Sequence, residues 1–322
     1  MSPTFSGATK PAPPSRARRA RRTRTLAACA VLVLGAFSVG AYSTCPPAGW
    51  TRDALVALKA AQWRVDDDAP RATLAIGLVD CLADPDPLLR DGVAFEALSA
   101  WLRAKQLPET TLRALHDALK RRLDAPDDAQ GFARPFAALA LSEVVRADRV
   151  QPFLTSGERT ALVDSATRYL RTVRDYRGFE PAAGWRHGVA HGADLLLQLA
   201  VNPHMTADDH RKMLDAIAAQ IAPADGHSYV FGESERLARP VLFIARRGTL
   251  DATDWSRWIK FVTGPGAFPD WEGALRSPAG LSRRHNVGGF VFALYANLRE
   301  GSDDALRQAL LPATVEALRA LP

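Results

Sequence analysis

Beyond Trp50, apolar residues recur at three- and four-residue steps along nearly the whole chain, a spacing that admits little except packed helices. The pattern runs through residues 52–63, 71–82, 87–102, 109–123, 135–147, 156–173, 185–200, 207–221, 234–247, 252–262, 281–298 and 302–321. Caps and breakers stand between these stretches: Asp84-Pro85-Asp86-Pro87, Pro108, Asp127-Asp128, Asn202-Pro203 and Gly264-Pro265-Gly266. Alternating strand signals are scarce. About a dozen helices with short links therefore predict an all-α domain over residues 50–322, with the helical hairpin as its natural unit.

One stretch is more specific. Asp86-Pro87-Leu88-Leu89-Arg90-Asp91, running on to Leu98, resembles the opening helix of a HEAT-type repeat, where Asp-Pro caps the helix and an Arg follows on the first turn. No clean period recurs elsewhere. The expectation is an irregular HEAT-like array of hairpins, with a closed α/α toroid as the alternative.

The chain has 322 residues, 41 of them Lys or Arg against 35 Asp or Glu, a formal charge of +6. That balance invites a nucleic-acid reading, which the placement of the charge removes. Lys10, Arg16, Arg18, Arg19, Arg21, Arg22 and Arg24 precede residue 45, with no acidic residue among them. Without those seven, 34 basic residues face 35 acidic ones, a net charge of −1. No basic field is left to steer a polyphosphate, so no nucleic-acid partner is expected.

The basic cluster has a better explanation. Residues 26–43 (LAACAVLVLGAFSVGAYS) carry no charge and directly follow the arginines. A positive flank before an apolar run keeps the N-terminus in the cytoplasm and sends the rest across. Residues 1–25 then form a disordered basic cytoplasmic tail, and 26–43 a single-pass anchor in the inner (cytoplasmic) membrane, at the lower edge of spanning length. The helical body stands outside the cytoplasm. The alternative is a signal peptide cut near Ala41, after Val39-Gly40-Ala41, releasing a periplasmic or secreted body. Of the three cysteines, Cys29 lies in the apolar run. Cys45 and Cys81 can pair in an oxidising compartment, or Cys81 can be a small buried apolar residue. No Cys-x-x-Cys occurs, which excludes a thiolate zinc site.

Chemistry concentrates between Arg174 and Gln198. On a helix turning ~100° per residue, His187, His191, Asp194 and Gln198 fall on one stripe, with Gly184, Gly188 and Gly192 alongside. Glycines at that spacing let a neighbour approach closely, so the stripe is expected inside the protein or on a cleft wall. Two imidazoles at i and i+4 can share one metal ion: zinc, iron or manganese. Asp194 lies too far along the axis from His187 for the same shell and fits better as the carboxylate orienting His191. A third ligand would come from another helix, with His227, Glu233, Glu235, His285 and Asp175 as candidates. Two other readings stay open: an acid/base or ligand site without metal, and histidines and aspartate that merely satisfy one another.

These residues carry a resemblance. Asp175-Tyr176-Arg177-Gly178-Phe179, followed by Gly184-Trp185-x-His187-x-x-Ala190-His191-Gly192-Ala193-Asp194, is similar to the hallmark of a bacterial family called "domain of unknown function 2785". Gly232-Glu233-Ser234-Glu235-Arg236-Leu237-Ala238 resembles that family's Gly-Glu-Asp-x-Arg-Leu-Ala segment, and Asp86–Asp91 also fits. The resemblance spans roughly Ala57 to Asn297. It implies an all-helical domain without an assigned activity. Arg186 stands where the family often has a small residue, and Ser234 replaces an acidic one.

His285-Asn286 either lines the same cleft or caps a late helix. Trp255, Trp258 and Trp271 bracket a Gly/Pro-rich loop and suit either ring stacking or core. No Gly-x-Ser-x-Gly, phosphate loop or dinucleotide fingerprint occurs, which leaves nucleotide chemistry and a common serine hydrolase without support. Two functions remain. The first is a binding or scaffold module facing an envelope protein or glycan. The second is a metal-assisted or acid/base hydrolase, with His187, His191, Asp194 and Glu233 as the catalytic set. In either case Asp175, Arg177, Trp185, Arg236, His285 and Asn286 are the expected ligand contacts.

Overall fold

The computed structural model describes residues 45–322, and the expected tail, apolar segment and cleavage site lie outside them. The described residues are helical almost throughout. The helices are α1 (Arg52–Ala60), α2 (Asp68–Cys81), α3 (Pro87–Leu89), α4 (Glu96–Arg103), α5 (Glu109–Asp124), α6 (Ala133–Val150) and α7 (Ser156–Thr172). They continue with α8 (Gly188–Ala200), α9 (Ala207–Ile221), α10 (Glu233–Arg246), α11 (Ala252–Val262), α12 (Trp271–Ala274), α13 (Pro278–Glu300) and α14 (Asp304–Ala320). A π-helical turn, Arg90–Phe95, joins α3 to α4. Among the described residues no helix is long and apolar enough to cross a membrane.

Local chemistry explains most of the boundaries. The Thr155 hydroxyl accepts from the Glu158 amide and Glu158 answers on the Thr155 amide, a capping box that starts α7. Thr206 and Asp209 repeat the device on α9. Asp251, Ser277 and Asp303 cap α11, α13 and α14 through side-chain oxygens, each taking up an otherwise orphaned backbone donor.

Two local expectations are corrected. The helix expected over 185–200 begins only at Gly188, because Gly184–Trp185 is a strand. His285 and Asn286 do not open a helix: α13 starts one to two turns earlier, at Pro278 behind the Ser277 cap.

The helices pack as two rows. One row runs α2, α5, α7, α9; the other runs α4, α6, α8, α10, α13. Chain neighbours α5/α6, α7/α8 and α9/α10 form hairpins that cross from row to row, while α14 packs on α13, α10 and α11. No substantial packing joins α1 or α2 to α13 or α14. Between the rows lies one continuous apolar core, from Leu55 and Leu78 through Leu141, Leu170 and Leu196 to Phe290 and Leu310. At the other end, Cys45 and Cys81 are joined by a disulfide with 5.0 Å between Cα atoms, so the chain is pinned to α2 before α1 begins.

Helix α8 sits at the centre, packed by α6, α7, α9 and α10. Its glycines reflect that crowding. A Cβ on Gly192 would come within 3.0 Å of Leu170 and 3.1 Å of the Tyr169 ring, both on α7. The close neighbours are side chains of α7, packed where a bulkier α8 residue would not fit.

Candidate functional site

The connection from α7 to α8 builds the site. Phe179–Glu180 (β1) and Gly184–Trp185 (β2) pair antiparallel, with Phe179 opposite Trp185. Residues directly opposite share a face, so the two rings meet, 5.1 Å between centroids. Gly184 permits the turn: its φ is +74°, and a Cβ there would lie 2.9 Å from the Arg90 guanidinium and 3.0 Å from Pro87. Gly178 has a different reason, since the Phe231 ring covers the space a Cβ would need.

The hairpin delivers His187 in a left-handed conformation, φ 56° and ψ 39°, as the N-cap of α8. This corrects the helical stripe. His187 caps the helix instead of lying within it, although its carbonyl still accepts from the His191 amide at 2.9 Å. The imidazole of His187 instead lies nearly flat on the Trp185 indole, with centroids 4.4 Å apart and an angle of 25°. Its Nε2 pairs with the Phe231 carbonyl at 2.9 Å. His191 is on α8, edge-on to Phe136 and 5.9 Å from the His187 ring. Burial, with the His187 and Arg236 charges adding to it, pushes His191 down to about 3. Its Nδ1 is buried without a hydrogen-bond partner.

Asp194 does not orient His191. Its carboxylate takes a hydrogen-bonded ion pair from Arg236 on α10. Burial still raises the carboxyl above the usual range, outweighing that partner. Gln198, the fourth member of the stripe, meets Arg149 of α6 at 3.5 Å.

Two arginines flank the hairpin. The π turn places Arg90, fully buried, where it donates to the carbonyls of Asp84 at 3.0 Å and Ala183 at 2.7 Å. Arg186 donates to the Gln130 carbonyl at 2.6 Å and to Glu180 at 2.5 Å. Their guanidinium groups lie 3.9 and 4.4 Å from the centroid of the Phe132 ring. Arg177 is consumed by Asp175, which accepts from its backbone amide at 3.1 Å and its Nε at 2.8 Å.

The segment before α10 closes the other side. Asn286 accepts from the Tyr229 amide at 2.9 Å and donates to the His227 carbonyl at 2.8 Å, while His285 Nε2 meets the Tyr229 carbonyl at 3.1 Å. Glu233 accepts from the Phe231 amide at 2.8 Å. His227 stacks on Tyr176 at 4.8 Å. His285 and Asn286 thus position a loop. They bring Val230 to the surface and Phe231 edge-on to Trp185, 5.9 Å away.

The structure therefore brings Trp185, His187, His191, Glu233 and Arg236 together, with Asp194 held by Arg236. Among the described residues, no group of three or more His, Cys, Asp or Glu side chains could hold a metal ion. Sequence reasoning missed Arg90 and Arg186 as a pair, the Phe132 ring between them, and Phe179 and Phe231 as partners of Trp185. The one available signal was Arg186 itself, a large cation where a small residue is common.

Charged and apolar side chains are both open to solvent here, Glu180 being 46% and Arg177 42% exposed. Among the apolar residues Phe179 is 46% exposed, Trp185 38% and Val230 70%, and the Phe179 and Trp185 rings meet.

A family described as "Protein of unknown function (DUF2785)" has a model that matches residues 119–296, just over half of the chain. No curated protein and no solved structure matches it.

Proposed function

The chain belongs to the DUF2785 family, and we propose that its body is a binding module of the cell envelope, a HEAT-like array whose Phe179–Trp185 face stacks on the sugar rings of a glycan. The carrying observation is the pair of facing rings, Phe179 and Trp185, both partly open to solvent. The carboxylates are engaged: Asp194 with Arg236, Asp175 with Arg177, Glu180 with Arg186, Glu233 with the Phe231 amide. Trp185 is braced by the His187, Phe179 and Phe231 rings and stays 38% exposed. A braced indole loses little freedom on binding, and its face suits the C–H surface of a pyranose ring. Hydrolysis has less support: a hydrolase needs a base or metal donor facing the ligand, and Asp194, Asp175 and Glu180 are each held by an arginine.

The envelope location rests on the arginine cluster followed by the uncharged run 26–43, and the Cys45–Cys81 disulfide supports an oxidising compartment. A reporter active only outside the cytoplasm, fused after Pro322, tests that part; a silent fusion would sink it.

The binding reading is tested by titrating the chain with chito-oligosaccharides and muropeptides, beside Trp185→Ala. Saturable binding of the sugars lost in the variant is the expected result. Binding only of free stem peptides, or sugar binding unchanged in Trp185→Ala, would overturn it.

A further inference from the structure

We propose that the cleft where α4, α5 and α6 meet binds a small amphipathic carboxylate, one ring or short branched acyl chain carrying a single carboxylate. The cleft has a volume of about 240 Å³. A dry apolar cavity of about 150 Å³ is enough to take up benzene, so this one has room for a ring and a head group. Its walls are Leu107, Leu112, Ala147, Val150 and Phe153. Leu107 and Phe153 are buried, whereas Val150 is left 45% exposed at the opening.

The charges at the mouth differ in how they are engaged. Arg103 is bound twice by Glu143. Glu109 pairs at 3.0 Å with Arg113, which also reaches Glu158 at 3.0 Å. Lys105 and Arg146 line the same cleft and have no ion-pair partner among the described residues. The remaining demand of the site is thus for one anion beside apolar surface.

The backbone at Lys105 supports a placed cation. Lys105 is left-handed, with φ 57°. It follows α4 at the point where Gln106 donates to the Trp101 carbonyl at 3.0 Å and Lys105 to the Leu102 carbonyl at 3.3 Å. That helix-ending turn favours glycine, and a lysine there carries backbone strain. The turn thereby fixes where the Lys105 side chain leaves the backbone at the rim of the cleft. None of these residues belongs to the Phe179–Trp185 face, and the inference stands or falls independently of it.

The test is calorimetric titration of the full-length chain with 3-phenylpropionate and, separately, its neutral amide. The two share shape and apolar surface and differ in charge. The acid is expected to bind saturably at one site per chain, and the amide at least about tenfold more weakly, the size of a charge-assisted hydrogen bond against a neutral one. Lys105→Gln/Arg146→Gln should reduce the acid to the level of the amide. Both replacements are at the mouth of the cleft, and circular dichroism verifies that the fold is kept. Ala147→Phe, which fills the cleft, should abolish both ligands. Trp185→Ala should leave the acid unaffected. Failure of the acid to saturate would overturn the proposal, as would equal binding of acid and amide, survival of the preference in the Lys105/Arg146 variant, or loss in Trp185→Ala.

Discussion

The carboxylate of Asp194 on α8 is held by the guanidinium of Arg236 on α10, an ion pair that ties two neighbouring helices of one row. Both side chains are largely shielded, so breaking the pair exposes one partner's unmet need. Arg236→Gln should destabilise the fold by about 2–3 kcal/mol at neutral pH, because a buried carboxylate is left without its counter-charge. Asp194→Asn/Arg236→Gln should recover a large part of that loss. Urea denaturation of the two single variants and the double variant measures the coupling; additive losses would show that the pair is not energetically linked.

Stability should fall as the solution is acidified through the histidine range. His191 holds a pKa of about 3 in the fold against 6.5 in the unfolded chain, so the unfolded chain takes up the proton first. The stabilisation is complete above pH 6.5 and is lost progressively as pH drops toward 3. Each pH unit in that window costs up to about 1.4 kcal/mol. Burial also lowers His187 and His210, which act in the same direction. His191→Leu should flatten the profile of unfolding free energy between those limits, and an unchanged slope would assign the acid sensitivity elsewhere.

Two glycines should respond with opposite sign. Gly184→Ala forces a side chain onto a residue at φ +74° that already crowds Arg90, and should cost roughly 1–3 kcal/mol. Gly157 lies in the first turn of α7 with nothing within 4 Å of its would-be Cβ, and Gly157→Ala should add up to about 1 kcal/mol. Thermal unfolding of both variants beside the parent reads the difference.

Reduction should loosen the start of the domain. The Cys45–Cys81 bond closes a loop of 36 residues, so Cys45→Ser should lower stability by about 3 kcal/mol. Dithiothreitol should lower the parent's unfolding midpoint to the variant's and leave the variant unchanged. A midpoint indifferent to reductant would mean the link contributes nothing.

The helices were legible because their determinants are local. Expected ranges such as 207–221 and 252–262 coincide with α9 and α11, whose Thr206 and Asp251 caps lie next to the residues they serve. The site was legible only as a list of names. Trp185, His187, His191, Asp194 and Glu233 all lie in the two motif segments, yet the helix expected from 185 starts at Gly188, after a strand that ends at Trp185. Polar spacing over so short a stretch satisfies a helix and a hairpin alike.

The class of fold, most helix ends and the neighbourhood of the site are thus written locally, since apolar period and capping chemistry act within a few residues. Tertiary structure decided the roles. It set His187 in a left-handed turn against Trp185, gave Asp194 to Arg236 from 42 residues away, and placed Phe132 between Arg90 and Arg186. Those choices depend on which helices become neighbours, and that is settled by burial of the whole core at once.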